Sequence, residues 1–189
     1  MKHEKSPLTD YGMHLPCHDF EVVLRAVEPA DVDTLYIWEN DRTLWPFGNT
    51  RAPISRYQLW AYARNYDANP LSDGQLRLII DLRSPAGPEP CGILDLYDID
   101  PHNSRAMTGI MIARAYRHRG IALLALQQLA EYDRTSLNLR MLGADVAADN
   151  LPSLSLFAKA GYTLTSRRPD WFLRPDGTYI PCDQFSLKL

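Results

Sequence analysis

Three apolar segments with strand character follow one another with no helical pattern between them: QLRLIIDL (75–82), CGILDLYDI (91–99) and MTGIMIA (107–113). Turn-forming stretches, RSPAGPEP and PHNS, separate them. Parallel neighbours need a crossover of about a dozen residues or more, so strands joined this closely must pair antiparallel. The segment 120–132 then reads as a helix, because Ile121, Leu124, Ala125, Leu129 and Tyr132 recur on one helical face. A strand, LRMLGADVA (139–147), and a short helix at 152–160, ended by Gly161, come next. Antiparallel strands followed by strand–helix alternation require a mixed sheet.

The flanks extend this pattern. FEVVLRAV (20–27) is a first strand. Pro29 opens a helix at a favourable first-turn position, with Val32, Leu35 and Trp38 spaced three apart. A second helix follows Pro53 and aligns Leu59, Tyr62, Ala63 and Tyr66. Pro175-Asp176-Gly177, between WFLR and YIPCDQFSLKL, marks a hairpin. The order is β-α-α-β-β-β-α-β-α-β-β. It predicts an α/β (α+β) fold with a mixed, mostly antiparallel central sheet of about six or seven strands flanked by about four helices.

Residues 1–18 form an N-terminal arm containing Pro7, Gly12 and Pro16, and 19–189 a single domain of a size that buries a continuous core. His14, Cys17 and His18 crowd into five residues with no second ligand cluster, so a surface arm is preferred to a metal site and no metal is expected. The absence of an apolar run of about eighteen residues excludes a membrane span, and MKHEKSPLTDYG lacks the apolar stretch of a secretory signal. Three scattered cysteines (Cys17, Cys91, Cys182) do not make a disulfide framework and suit a reducing, cytoplasmic location. A formal charge of −3 gives no general drive toward nucleic acid. A homodimer is left open.

The chemistry concentrates where strand 107–113 runs through Arg117-His118-Arg119-Gly120-Ile121-Ala122 into a helix. Such a turn aims backbone N–H groups and the helix's positive end at one point, and small residues let a phosphate approach the backbone. Arg114, Arg117 and Arg119 add positive charge there. Alone, R-x-x-G-x-A describes any basic turn before a helix. About thirty residues on, directly after a strand, stands Asn150-Leu-Pro-Ser153-Leu-Ser-Leu156-Phe157-Ala-Lys159-Ala-Gly161-Tyr162.

Together these two stretches resemble the cofactor motifs of the GNAT superfamily of N-acetyltransferases, [QR]-x-x-G-x-[GA] and N-x-x-[SA]-x-x-[LF]-[YF]-x-K-x-G-[FY]. The likeness covers 20–189 and is strongest over 105–162. LRAVEPADVDTLYIWEND and DLYDIDPHNSRA resemble the branch of spermidine and ribosomal-protein N-terminal acetyltransferases. The resemblance implies acetyl-CoA as co-substrate and a primary amine, on a small molecule such as a polyamine or on a peptide N-terminus, as acceptor. It implies that Ile110, Met111 and Ile112 pair through their backbone with the pantetheine amides and polarise the thioester carbonyl. Arg117, His118, Arg119, Gly120, Ile121 and Ala122 match the pyrophosphate loop. Asn150, Ser153, Phe157 and Lys159 match the second motif, with Asn150 on the pantetheine arm, a role compatible with capping the helix.

Two departures from the family stand out. Phe157 occupies the position where many of these enzymes carry a tyrosine acid, and phenylalanine has no proton to give. Met107 stands where a glutamate is usual on the motif strand. A thiol has a pKa near 8.5, so the thiolate leaves tolerably without an acid, and aligning two reactants supplies roughly 7–11 kcal/mol. The amine still needs a base, through water; Asp95 and Asp98 are the candidates, and strand alternation puts them on opposite faces, so at most one faces the site. For the acceptor, the first two helices offer Trp38, Glu39, Asn40, Asp41, Trp45, Ser55, Arg56 and Tyr57, with Trp171 and Tyr179 from the hairpin. Aromatic walls with acidic groups suit a cationic amine. The alternative from another class is a catalytically silent CoA-binding or protein-interaction module on the same fold.

Overall fold

A computed structural model describes residues 20–48, 50–65 and 69–189. His14, Cys17, His18 and the rest of the arm 1–18 lie outside the described residues, as does Tyr66. The strands are β1 (Glu21–Ala26), β2 (Leu76–Ser84), β3 (Gly87–Asp100), β4 (Arg105–Ile112), β5 (Met141–Ala147), β6 (Thr163–Leu173) and β7 (Tyr179–Lys188). The helices are α1 (Val32–Glu39), α2 (Arg56–Arg64), the single turn α3 (Pro70–Asp73), α4 (Ile121–Tyr132) and α5 (Leu151–Lys159). The sheet order is β1-β2-β3-β4-β5-β7-β6, and each pairing of known register is antiparallel. The chain divides into two compact units: Met1–Ala26, Asn69–Leu142 and Leu189 make the first, Val27–Ala68 and Gly143–Lys188 the second.

In the first unit β1 to β4 form an antiparallel run, with Val22 opposite Leu82, Leu78 opposite Leu94, and Leu94 opposite Ile110. Helix α4 buries most of the face expected of it: Ile121, Leu124, Ala125 and Leu129 are core residues, while Tyr132 is half-buried. Gln128, also buried, donates its side-chain amide to the Val22 carbonyl at 2.8 Å, so a polar residue inside the core is satisfied by strand backbone.

The stretch RSPAGPEP is not the loop its proline content suggests. Ser84 pairs with Gly87, so the turn is Pro85-Ala86 alone and both strands continue into it. Proline is tolerated in a strand where no ladder N–H is needed. β4 pairs with β3 only from Gly92 onward, so Pro88 and Pro90 sit where β3 has β2 as its one partner. Cys91 is the extra residue at the register shift between Ile80/Gly92 and Asp81/Pro90. Its carbonyl accepts from the Ala113 N–H at 2.9 Å.

In the second unit Ser55 and Gln58 form a capping box that starts α2. Arg56 joins α2 to α1 through Asp33 at 2.7 Å, its guanidinium 3.9 Å from the centre of the Tyr36 ring. The Asn40 side chain closes the intervening loop on the Tyr36 and Ile54 carbonyls and the Ile54 N–H. β6 ends the strand order as an exposed edge, and its register breaks between Arg168 and Phe172, where Asp170 has φ +50°. Pro169, a bulge and flanking charges are devices that blunt an edge against further pairing.

One buried group strains the first unit. Asp133, fully buried where α4 runs into a π-turn (133–137), has neither carboxylate oxygen paired. Burial pushes its carboxyl up to about 8, and the negative end of α4 opposes ionisation further. The folded state thus keeps a proton that the unfolded chain releases near its ordinary value of 3.8. Stability should fall as pH rises between these values, by at most about 1.4 kcal/mol per unit, and level off above the higher one. Urea denaturation from pH 5 to 9 should show that slope in the native protein. Asp133→Asn should flatten it and be the more stable at pH 8.

Candidate active site

In the first unit the C-terminal half of β4, from Gly109 to Ile112, is half-buried, unlike the core positions Ala106 and Thr108. Gly92, on β3, governs how close this segment lies. A Cβ on Gly92 would sit 2.4 Å from the Met111 carbonyl oxygen and 2.9 Å from the Ile112 side chain, so no larger residue fits without moving β4. Beyond β4, Arg117 folds back and donates to the Ile112 carbonyl at 2.9 Å, fixing the loop to the strand end. His118 and Gly120 are left-handed (φ +61° and +81°) with Arg119 between them at negative φ. Such alternation turns successive N–H groups toward one side, the geometry of an anion-binding nest.

Gly120 is the N-cap of α4, and no side chain caps it. The first N–H groups of a helix have no intrahelical acceptor, so this end carries exposed donors and the positive end of the dipole. Arg114, Arg117, His118 and Arg119 are exposed around it, the Arg119 guanidinium 5.1 Å from the Phe20 ring centre. Ile121 differs from its neighbours: its side chain is core, leaving only its backbone to face an anion.

The two candidate bases are unequal. Asp95 lies opposite Arg77 across β2 and β3 and accepts from it through both oxygens, at 2.7 and 2.9 Å. Asp98 is exposed, with φ +49°, inside the register break between Tyr97 and Asp100. Strict strand alternation, the basis for placing the two on opposite faces, therefore does not hold at Asp98.

In the second unit the motif 150–162 is largely the grammar of helix α5. Asn150 is the N-cap and accepts from the Ser153 N–H at 3.3 Å, with proline in the first turn. At the other end Gly161 (φ +92°) donates to the Ala158 carbonyl and Tyr162 to that of Phe157, which is a Schellman motif. Its usual apolar contact is the edge-on packing of Phe157 against Tyr162, ring centres 5.0 Å apart. Phe157 also stacks on Phe185 and is buried, so its immediate surroundings are those of a packing residue. Lys159 is exposed in the last turn, where a cation suits the dipole.

The acceptor candidates all fall in this second unit. Trp38 and Glu39 are half-buried at the end of α1; Tyr57 on α2 is exposed; Trp171 on β6 lies under the Arg168 guanidinium at 4.5 Å. Cys182 here, like Cys91 in the first unit, is a buried free thiol pushed up by its burial, to about 11 and about 12 respectively, which suits packing and not nucleophilic work.

The sequence profile described as "Acetyltransferase (GNAT) domain" matches residues 21–163, about three quarters of the chain. The chain belongs to the GNAT acetyltransferase family. A curated relative, the uncharacterized N-acetyltransferase p20 of Bacillus licheniformis, is 34% identical over 89 residues, 47% of this chain and 49% of its own, so the match spans about half of that relative. Among solved structures, the spermidine N-acetyltransferase of Vibrio cholerae in complex with CoA and spermine superposes with a TM-score of 0.76 at 21% identity, over 88% of this chain and 95% of that one. The microcin C7 self-immunity acetyltransferase MccE, in complex with acetyl-CoA and AMP, gives 0.74 at 16% identity over 96% and 98%. A GNAT acetyltransferase of Streptococcus pneumoniae gives 0.72 at 19% over 89% and 100%. At these identities the structures establish the GNAT fold, with its seven-stranded, mostly antiparallel sheet.

In this GNAT chain the sequence did not single out Gly92. A glycine inside a strand hints at a bulge or a close approach, but only the packing of β4 against β3 shows that the approaching group is the Met111 carbonyl. Asn150 caps α5, and substitution tests that role. Asn150→Ala should cost about 1 kcal/mol of stability through the lost cap. Asn150→Asp preserves the cap, and its unfolding midpoint should match the native protein, as read by calorimetry.

Proposed function

We propose that this chain transfers the acetyl group of acetyl-CoA to a primary amine by direct attack in a ternary complex. The observation that carries the reading is the uncapped N-terminus of α4, preceded by the left-handed pair His118 and Gly120 and surrounded by exposed arginines. This is a fit for a diphosphate: backbone donors, a dipole end, cationic side chains and a glycine without a Cβ to obstruct approach. The solved neighbours that hold CoA or acetyl-CoA support the same choice of donor. Met111 and its neighbours would pair with the pantetheine amides.

In the reaction the amine nitrogen bonds to the thioester carbonyl carbon, the carbon–sulfur bond breaks, and the amine gives up one proton while the thiolate takes one. Phe157 supplies no proton, so solvent protonates the thiolate. Asp98 is the better candidate for relaying the amine's proton, because both oxygens of Asp95 are engaged by Arg77. Trp38, Glu39, Tyr57 and Trp171 would receive the acceptor, for which a polyamine, another small amine or a peptide N-terminus fits aromatic and acidic groups. We take 19–189 as one functional domain, since the family profile runs through both units.

Acetyl-CoA should raise the melting temperature of the native protein, and Gly120→Glu should abolish that rise by steric block and repulsion of the phosphates. An undiminished rise in the variant would remove the loop from the reading. With the best amine from a panel of polyamines, peptides, aminosugars and amino acids, thiol release should give a kcat/KM that climbs with pH until the amine or its base is deprotonated. Asp98→Asn should lower that climb by about 10²-fold, the low end of a general-base effect, and Asp95→Asn should not. Acetyl-CoA binding without thiol release at any pH would favour the silent module.

A further inference from the structure

Arg174, at the tip of the β6–β7 hairpin, retains only 10% of its side-chain surface, unusual for an arginine beside a turn. Its Nε donates to Asp149 at 2.9 Å and its Nη2 to the other oxygen of the same carboxylate. Its Nη1 donates to the Pro46 carbonyl at 2.5 Å, and its guanidinium lies 5.1 Å from the centre of the Phe47 ring. One planar group thus grips a carboxylate, a carbonyl and an aromatic ring at once, which a lysine cannot reproduce. Both groups are charged at neutral pH, and Arg174 holds the Asp149 carboxyl below its usual range.

Trp-Pro-Phe, 45–47, is a 3-10 turn between α1 and α2. It is stapled to the end of α1: the Trp45 indole N–H donates to the Glu39 carbonyl at 2.9 Å, and Thr50 donates to the Glu39 carboxylate at 3.1 Å. Arg51 donates to the Trp45 and Gly48 carbonyls. Phe47 itself keeps 53% of its surface exposed. We infer that Arg174 is a positioning residue for the amine acceptor: through Pro46, Phe47 and Trp45 it fixes the turn that sets Glu39, and its hold on Asp149 gives that turn a rigid anchor. This rests on the acetyltransferase reading above and adds to it a residue that would never touch the reacting atoms.

The test is steady-state thiol release with the best amine, on the full-length native chain and on Arg174→Met, Arg174→Lys and Asp149→Asn. Arg174→Met should raise the acceptor KM about tenfold, with the acetyl-CoA KM and kcat within about threefold, the pattern of lost acceptor binding. Arg174→Lys should fall between, since it keeps the charge without the fork. Asp149→Asn should move the acceptor KM in the same direction by less, because the Pro46 and Phe47 contacts remain. The acetyl-CoA-induced melting shift checks that each variant is folded; should Arg174→Met not fold, the other two carry the comparison. An acceptor KM within twofold of native in the folded variants, or an equal loss for both substrates, overturns the inference and leaves the acetyltransferase reading intact. A native chain that releases no thiol with any amine overturns that reading, and this inference with it.

Discussion

Gly92 stands where β3 can approach β4 only because there is no Cβ in the way. With the Met111 carbonyl oxygen 2.4 Å from where that atom would be, even alanine would have to displace backbone and not merely a side chain. The neighbouring residue, Cys91, is the bulge that shifts β3 against β2, and bulges tighten local twist. Bulge and glycine together set the course of the end of β4, and with it the origin of the loop that Arg117 ties back to Ile112. The start of α4, and every donor it presents, follows from that placement.

The two motif helices solve the same problem in opposite ways. Helix α5 satisfies its ends from its own sequence: Asn150 at the start, a Schellman turn at Gly161 and Tyr162, and the Phe157–Tyr162 contact sealing it. Helix α4 begins at a left-handed glycine with no side-chain acceptor. Unsatisfied helix N–H groups persist only where something else can bind them, water or an anion. A pattern match scores both stretches alike, yet the physics divides them: much of the second motif accounts for itself as capping and packing, while the open end of α4 does not.

Ion pairs in the described residues are mainly cross-strand pairs such as Arg167–Asp183 or surface pairs such as Arg134–Glu131, and exposed pairs add little to stability. Their greater effect is to decide which carboxylates keep their lone pairs. Asp95 is engaged by Arg77, and Asp149 by Arg174. Asp133 is the opposite case, a buried acid without a partner at a helix end, where its neutral form is the stable one.

The order of elements was legible in the sequence because it depends on local periodicity: Ile121, Leu124, Ala125 and Leu129 repeat at helical spacing whatever surrounds them, and they are buried together as that spacing requires. So was the family, since the motifs 117–122 and 150–162 lie within short contiguous stretches. The hairpin at Pro85-Ala86 was not, because its prolines read as loop until the pairing shows that β3 has a single neighbour there. Nor was the inequality of Asp95 and Asp98, which rests on an arginine eighteen residues away and on a register break. Phe157 could be read as an absent acid, but its burial against Tyr162 and Phe185 is a property of packing. Arg174, 128 residues from Pro46 and 25 from Asp149, left no local trace at all. Sequence spacing determines what a segment becomes; which side chains meet across distant segments is decided only when the chain closes on itself, because contact depends on distance in space and not along the chain.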